Sequence, residues 1–180
     1  MDIQKIISLV TKTQGLIKNR EMAAHVKEKG LADYVTQVDI AVQNFLKKEL
    51  FALAPDIQFL GEETGLQEIK ADSFWILDPV DGTTNLMHDY QHSVVSLALC
   101  RQGDIIMGII YDPFRDEVFS AIKGKGSFLN GQPIHVSNAK KLSDTMIGLG
   151  TAKREVADEN FARFRRVFGQ CQDVRRIGSA

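Results

Sequence analysis

The segment that most constrains the fold spans residues 73–85, where an apolar run leads directly into two carboxylates, a glycine and two hydroxyls. The run Phe-Trp-Ile-Leu at residues 74–77 is typical of a short buried strand. Asp78 follows this strand, and Asp81 comes three residues later. Pro79 biases Asp78 toward an extended backbone, because a proline ring disfavours the helical region for the residue before it. The segment therefore predicts a rigid element that presents two acids at its end.

The residues that follow favour an anion held beside a cation. Gly82 allows a tight or left-handed turn, and residues 83–85 (Thr-Thr-Asn) are good helix N-cap types. A helix that opens there would direct free N–H groups at an anion. Mg²⁺ takes oxygen ligands, commonly one or two carboxylates with phosphate oxygens. Asp78, Asp81 and the Val80 carbonyl could supply such ligands; the alternative is an ordinary Asp-Pro-x-Asp-Gly surface turn.

Two more acidic groups precede this segment. Glu62 and Glu63 follow a short apolar stretch at residues 57–60, although adjacent glutamates are often only solvated surface. Asp39 lies three residues after Thr36, a spacing that predicts a capping box at the start of a helix. Because an acid in a first helical turn can also face a site, capping by Asp39 is compatible with a functional role.

These blocks, in this order, resemble the inositol monophosphatase family of Mg²⁺-dependent, lithium-sensitive phosphatases. The resemblance covers essentially the whole chain and implies an α+β fold, with layered helices and antiparallel sheet in a sugar-phosphatase-like α/β/α/β/α sandwich. The segments that carry it are Asp33–Asp39, Gly61–Glu63, Trp75–Asn85, Gly124–Gly131 and Arg176–Ala180.

The resemblance implies a site for two to three Mg²⁺ ions. Glu62, Asp78 and the Val80 carbonyl would bind the first ion. Asp78 and Asp81 would share the second, and Glu62 would also contact a weaker third. These assignments follow from the family's motif at the matching positions of this sequence.

The resemblance also implies roles for the residues around the metals. Thr83 would hold the attacking water, with Asp39 behind it as an orienting partner and Glu62 assisting as a base. The backbone N–H groups of Gly82 and Thr83, together with Asp81, would contact the substrate.

Other polar residues near these motifs have weaker claims. Lys29, or less favourably Lys27, would be the family's lysine near the site. His88 and His92 flank the motif, but Mg²⁺ prefers oxygen ligands, and we expect both side chains to be solvated or packed. For Arg175–Arg176 a strand-end ion pair or a partner contact is favoured over a phosphate contact.

The function implied is hydrolysis of a small phosphomonoester by a metal-activated water, without a covalent enzyme intermediate. Inositol-1-phosphate is favoured because residues 83–85 follow the glycine as in typical inositol monophosphatases. Fructose-1,6-bisphosphate, 3′-phosphoadenosine phosphate and histidinol phosphate remain alternatives. A non-catalytic binding partner of the transcription machinery, or a metal-binding structural piece, are alternatives of another class. The family also implies a homodimer.

One family feature has no counterpart here. The family carries a further metal-binding aspartate in a downstream Trp-Asp motif, whereas the one tryptophan of this chain is Trp75. Gly178–Ser179 also has the pattern of a helix N-cap with no helix after it. We therefore expect residues 1–140 to form a metal-binding α+β half and residues 141–180 to begin a C-terminal half whose remaining third is absent. The isolated segment would then be an incomplete enzyme.

The composition argues against several classes of protein, namely nucleic-acid-binding, membrane-spanning and secreted proteins. A net charge of −1, from 22 Lys and Arg against 23 Asp and Glu, gives no overall attraction to nucleic acid or an anionic membrane. No apolar run approaches the roughly 20 residues of a membrane span, and the N-terminus lacks a signal-peptide pattern. Cys100 and Cys171 have the contexts of reduced core thiols. We predict a soluble cytoplasmic protein.

Hydrophobic periodicity predicts the order of the elements. A helix runs from Asp2 toward Lys27, and a second helix runs from Gln37 to about Leu53. The short gaps after Val94 predict an antiparallel meander, because they leave no room for helical crossovers. A last amphipathic helix, flanked by strands at residues 145–149 and 174–177, would bury its phenylalanines Phe161, Phe164 and Phe168 in a core.

Overall fold

The computed structural model describes residues 2–30, 33–64, 71–150 and 157–178, and it has the predicted α+β fold. The helices are α1 (Ile3–Thr11), α2 (Gln14–Ile17), α3 (Arg20–Ala24), α4 (Gln37–Leu53), α5 (Thr83–Met87) and α6 (Ala157–Phe168). The first strands are β1 (Val26–Gly30), β2 (Asp33–Thr36), β3 (Gln58–Gly61), β4 (Ser73–Asp81), β5 (Val94–Arg101) and β6 (Asp104–Asp112). The later strands are β7 (Glu117–Ile122), β8 (Gly126–Leu129), β9 (Gln132–Ile134), β10 (Met146–Gly148) and β11 (Asp173–Arg175). The chain divides into two compact units between Ile134 and His135.

Helix α4 begins and ends where its sequence predicts. The Thr36 hydroxyl accepts a hydrogen bond from the Val38 N–H at 3.2 Å, and the Asp39 carboxylate accepts one from the Thr36 N–H at 2.8 Å. This reciprocal capping box satisfies N–H groups that have no partner within the helix. The apolar stripe of α4 contains the fully buried residues Val42, Leu46 and Leu50. The predicted helix from Gln37 to Leu53 is therefore confirmed.

The prediction of one long N-terminal helix from Asp2 toward Lys27 is wrong, because this segment forms the three short helices α1, α2 and α3. The buried Thr13 hydroxyl donates to the Val10 carbonyl at 2.6 Å, and such a local bond competes with continuation of the helix. Asn19 then caps α3, since its side chain accepts from the Met22 N–H at 3.0 Å. The predicted cap at Asp2 is confirmed, with its carboxylate accepting from the Gln4 N–H at 3.0 Å.

The residues expected to end this helix form a β-hairpin instead. Strand β1 pairs with β2 in antiparallel register, with Lys27 opposite Val35 and Val26 opposite Thr36. Every residue of β1 is exposed, so the strand carries no apolar alternation that would reveal it in the sequence. The hairpin leads directly into the N-terminus of α4.

The main sheet has seven strands in the order β3-β4-β5-β6-β7-β8-β9. All pairs from β4 to β9 are antiparallel, which confirms the predicted meander. Strand β3 is different, because it pairs with β4 in parallel. The hairpin between β8 and β9 turns at Asn130 and Gly131, which both adopt positive φ (48° and 78°), as expected for an Asn-Gly hairpin turn.

The core of the first unit is shared by helices and the sheet. It joins α1 and α4 to strands β4, β5 and β6 through fully buried side chains, among them Ile6, Leu46, Trp75, Leu97 and Ile109. Burial of each such side chain is worth about 1.5–3 kcal/mol, so this contact fixes α4 against the sheet. The site described below uses residues from both layers.

The second unit contains the parallel pair β10–β11 and helix α6. The predicted helix and strands are present, but the prediction that all three phenylalanines are core is wrong. Phe161 and Phe168 are 59% and 54% exposed. An amphipathic pattern shows which face of a helix suits burial, but it does not show whether other residues cover that face. Among the helices that the structure describes, none combines the length and the hydropathy needed to span a membrane.

Candidate metal and phosphate site

The parallel pairing of β3 with β4 brings the two acidic motifs to one edge of the sheet. Gly61 lies opposite Leu77, so the next residues along the two strands are Glu62 and Asp78. The Glu62 side chain lies within hydrogen-bonding reach of the Asp78 carboxyl. The sequence motifs predict that these acids converge, but they carry no signal of the parallel pairing that causes the convergence.

A bulge in β4 turns Asp78 and Asp81 to the same side. Residues three apart on a regular strand point to opposite faces. Here Asp78 pairs with Ser96 and Asp81 pairs with Val94, so three steps along β4 match only two along β5. The extra residue of the bulge therefore places the side chains of the two acids on the same face of the sheet. Pro79 suits this position because it has no N–H to donate to the ladder.

Asp78 lies in a strongly unfavourable environment for a negative charge. Burial raises the pKa of Asp78, the negative charges of Glu62 and Asp81 raise it further, and together they bring it to about 7. The Val80 N–H donates to Asp78 Oδ1 at 3.1 Å and opposes the shift only in part. A cation beside the three carboxylates would relieve this repulsion.

The Asp39 carboxylate reaches the same region from the first turn of α4. Its Oδ2 accepts from the Thr36 hydroxyl at 2.5 Å as well as from the Thr36 N–H, and its Oδ1 accepts from the Thr83 hydroxyl at 3.1 Å. Asp39 is buried, and burial raises its pKa although the hydrogen bonds from Thr36 and Thr83 lower it. The capping acid therefore also orients the hydroxyl of Thr83.

The Thr83 hydroxyl has one proton and two acceptors within reach. Besides Asp39, the Val80 carbonyl lies 3.0 Å from the Thr83 oxygen. Gly82 precedes it with a φ of 91°, a left-handed conformation that favours glycine. The buried hydroxyl of Ser93, the residue before β5, donates a hydrogen bond to the Gly82 carbonyl at 2.8 Å and so stabilises this turn. In the sequence, Ser93 carries no signal of this role beyond a hydroxyl before a strand.

Lys29 from the β1–β2 hairpin neutralises the neighbouring glutamates. Its ammonium lies 2.5 Å from Glu63 Oε1 and 3.3 Å from Glu62 Oε1. Burial lowers the pKa of Lys29, but the hydrogen bond from its ammonium to Glu63 and the charges of both glutamates raise it above the ordinary value overall. Burial raises the pKa of Glu63, and this outweighs the hydrogen bond and the positive charge of Lys29, which lower it. Lys29, rather than the exposed Lys27, is the lysine next to the acidic cluster.

The residues present suit a hard cation. Carboxylates and a backbone carbonyl are the oxygen ligands that Mg²⁺ prefers, and a cation would relieve the repulsion that Glu62 and Asp81 exert on Asp78. In the described ranges, no three His, Cys, Asp or Glu side chains are already arranged as a metal-binding group. The Glu62 side chain is 49% exposed and its Oε1 lies 3.3 Å from the Lys29 ammonium, so a cation at Glu62 would share this carboxylate with Lys29.

The structure also gives contacts for other residues singled out in the sequence. The side-chain amide of Asn85 donates a hydrogen bond to the backbone carbonyl of His92 at 2.8 Å. The imidazole ring of His92 contacts the Tyr90 ring edge-on. His88 is the C-cap of α5. Arg175 pairs with Asp173, as predicted for a strand-end ion pair. Ser179 and Ala180 of the last matching segment lie outside the described residues.

Comparison with known proteins now extends these observations. A sequence model described as "Inositol monophosphatase family" matches residues 2–180. An inositol-1-monophosphatase of Rhizobium meliloti (strain 1021) is 41% identical over 160 residues, which cover 86% of this chain and 59% of the relative. The Nus factor SuhB of Xylella fastidiosa (strain Temecula1) is 38% identical over 164 residues, which cover 90% of this chain and 59% of the relative. The chain thus spans less than two thirds of the length of these relatives.

Solved structures agree with the sequence comparison. The crystal structure of the extragenic suppressor protein suhB from Bartonella henselae superposes with a TM-score of 0.91 at 32% identity, covering 99% of this chain and 70% of that one. A crystal structure of an IMPase/NADP phosphatase complexed with Mg²⁺ and phosphate gives a TM-score of 0.83 at 27% identity, covering 98% and 67%. With the family model matching nearly every residue, this chain belongs to the inositol monophosphatase family.

Proposed function

We propose that this chain forms the metal-binding part of a Mg²⁺-dependent phosphomonoesterase. The observation that carries the proposal is the convergence of Glu62, Asp78 and Asp81 next to the hydrogen-bonded pair of Thr83 and Asp39. Two curated relatives, an inositol-1-monophosphatase and a Nus factor SuhB, belong to the same family, and a solved relative is described with Mg²⁺ and phosphate bound.

Four residues would hold the cations. Glu62, Asp78 and the Val80 carbonyl are proposed for the first ion, and Asp78 with Asp81 for the second, with a third ion at Glu62. When bound, Mg²⁺ would lower the pKa of a water molecule and neutralise charge on phosphate oxygens. The raised pKa of Asp78 supports this assignment, since it reflects the burial of this carboxyl and the negative charges of Glu62 and Asp81 beside it.

Thr83 and Asp39 are proposed to orient the attacking water. The Thr83 hydroxyl has one proton, and we assign it to Asp39 Oδ1 at 3.1 Å rather than to the Val80 carbonyl at 3.0 Å, because an ionised carboxylate is the stronger acceptor. The lone pairs of the Thr83 oxygen are then free to accept a hydrogen bond from water. Glu62 would assist as the base, and the N–H groups of Gly82 and Thr83, with Asp81, would contact the phosphate ester.

Inositol-1-phosphate is the substrate we favour, because a relative that is 41% identical bears the name inositol-1-monophosphatase. Fructose-1,6-bisphosphate, 3′-phosphoadenosine phosphate and histidinol phosphate stay alternatives, and one of the structural relatives is described as an IMPase/NADP phosphatase. Phosphate release from each compound with Mg²⁺, with and without Li⁺, tests the substrate. Release from none of them would count against the whole phosphatase assignment.

A second candidate is a binding role in transcription, which the similarity to a Nus factor SuhB favours. The two roles are compatible in one protein, since the metal site and a partner surface need not share residues. Measurement of Mg²⁺ binding together with phosphate release separates a phosphatase from a protein that only binds partners. Homodimerisation and a cytoplasmic location also stay proposals.

A further inference from the structure

A buried glutamine of α4 contacts the strand end that carries the acids. Gln43 is only 4% exposed, and its Oε1 accepts a hydrogen bond from the Glu63 N–H at 3.0 Å. The Glu63 N–H lies in the first turn of the short 3₁₀ helix Glu62–Thr64. The glutamine therefore fixes the backbone immediately after Glu62.

The contact between Gln43 and the strand end is tight. A Cβ on Gly61 would lie 2.2 Å from Gln43 Oε1 and 2.8 Å from Phe59 Cε1. Real Cβ atoms do not approach other atoms so closely, so glycine is required at this position for the amide to reach the Glu63 N–H. Two separate features, a buried acceptor and a glycine that makes room for it, thus serve one hydrogen bond.

Gln43 also shares a helix face with Asp39. Residues four apart on a helix lie one above the other, about 5–6 Å between their Cβ atoms. Asp39 hydrogen-bonds to Thr83, and Gln43 hydrogen-bonds next to Glu62. Adjacent turns of α4 therefore position both sides of the acidic cluster.

We propose that Gln43 is a positioning residue that holds Glu62 in place to bind the cation beside Asp78. The inference rests on the proposed function, because it concerns how the chain orders that metal site. Gln43 itself does not contact the cation. Without its acceptor, the Glu62–Thr64 turn loses its bond to α4, and Glu62 has to be ordered when the cation binds.

The test measures Mg²⁺ affinity by calorimetry and hydrogen exchange of the Glu63 amide in the metal-free chain. Gln43→Leu removes the acceptor at similar volume; we expect about tenfold weaker Mg²⁺ binding and at least about tenfold faster Glu63 exchange, as for the loss of one buried hydrogen bond. Gln43→Glu keeps an acceptor at the same reach and should restore both values toward wild type. Asn44→Leu, at an exposed position on the same helix, should leave both unchanged.

Gly61→Ala provides a second route to the same bond. The new Cβ would displace the side-chain amide of Gln43, although no residue of α4 is substituted. We therefore expect weaker Mg²⁺ binding and faster hydrogen exchange of the Glu63 amide. In a Gln43→Ala background the same substitution should weaken binding less, because the atom it displaces is gone. These variants carry the test if Gln43→Leu does not fold.

The outcomes separate the two proposals. If the wild-type chain binds no Mg²⁺, the proposed function fails and the role of Gln43 fails with it. If the wild-type chain binds Mg²⁺ and Gln43→Leu binds it equally well with unchanged Glu63 exchange, only the role of Gln43 is overturned. Loss of affinity in both Gln43→Leu and Gln43→Glu would also overturn it, because the acceptor would not be what matters.

Discussion

The Thr83 hydroxyl donates to Asp39 Oδ1 across 3.1 Å, joining the turn after β4 to the first turn of α4. Asp39 is at the same time the acid of the capping box that begins the helix. One buried carboxylate therefore both stabilises α4 and orients a hydroxyl beside the proposed metal ligands.

Replacement of Thr83 should separate water orientation from metal binding. We predict that Thr83→Val leaves Mg²⁺ affinity within about twofold, because the side chain is not a proposed ligand. Phosphate release should fall by about 10²-fold or more, the usual contribution of a positioned proton-transfer group. Calorimetry and a phosphate-release assay measure the two effects. Loss of Mg²⁺ binding in this variant would show that Thr83 has a different role.

Removal of the Asp78 charge should stabilise the metal-free chain at neutral pH. The pKa of Asp78 is raised from 3.8 to about 7, so the folded state retains a proton that the unfolded state releases between these values. This contribution to stability is present below pH 4 and is lost as the pH rises through 7. With allowance for partial exposure, Asp78→Asn should be more stable than wild type at pH 7.5 by on the order of 1–3 kcal/mol, and about equal at pH 4. Denaturant unfolding at both pH values measures this; a less stable variant at pH 7.5 would refute it.

Lys29 competes with a cation for Glu62. We predict that Lys29→Met raises Mg²⁺ affinity by about threefold or more, because it removes a positive charge that lies 3.3 Å from Glu62 and 2.5 Å from Glu63. Lys27→Met, at an exposed position on the same strand, is the matched control and should change the affinity much less. Calorimetric titration of both variants decides the point. Weaker binding in Lys29→Met would instead make the ammonium a support for the site.

The Thr36 cap should contribute to stability independently of metal. Thr36→Val removes the hydroxyl that accepts from the Val38 N–H and donates to Asp39, so the free energy of unfolding should fall by about 1–2 kcal/mol. Thermal unfolding without Mg²⁺ measures this loss. Thr11→Val is a suitable control, because its hydroxyl bonds only to an exposed carbonyl within α1. Equal melting temperatures for Thr36→Val and wild type would contradict the prediction.

Sequence patterns predicted those parts of the fold that follow from local rules. The capping box of Thr36 and Asp39, the apolar stripe of α4 and the turn at Asn130 each have a short-range signal, and the structure contains them. The grouping of Glu62 with Asp78 came from family resemblance, whereas the parallel register that produces it is a long-range property.

The missed features lack such signals. Strand β1 is polar and exposed throughout, so its hairpin left no periodicity to detect. Gln43 looked like an ordinary helix residue, and only the packing against Gly61 shows why it is buried. The one available hint was its spacing of four residues from Asp39. The amphipathic pattern of α6 shows which face suits burial, but it does not show whether other residues cover that face, so the exposure of Phe161 has no signal in the sequence.

Titration of the chain with Mg²⁺, with thermal unfolding as the readout, shows whether these acids bind a cation. We predict that the melting temperature of the wild type rises with Mg²⁺ concentration, as for any ligand that binds only the folded state. Asp78→Asn should show no such rise, and Asp81→Asn should show a smaller one. A melting temperature that does not respond to Mg²⁺ in the wild type, or that responds equally in Asp78→Asn, would contradict the assignment of these acids as metal ligands.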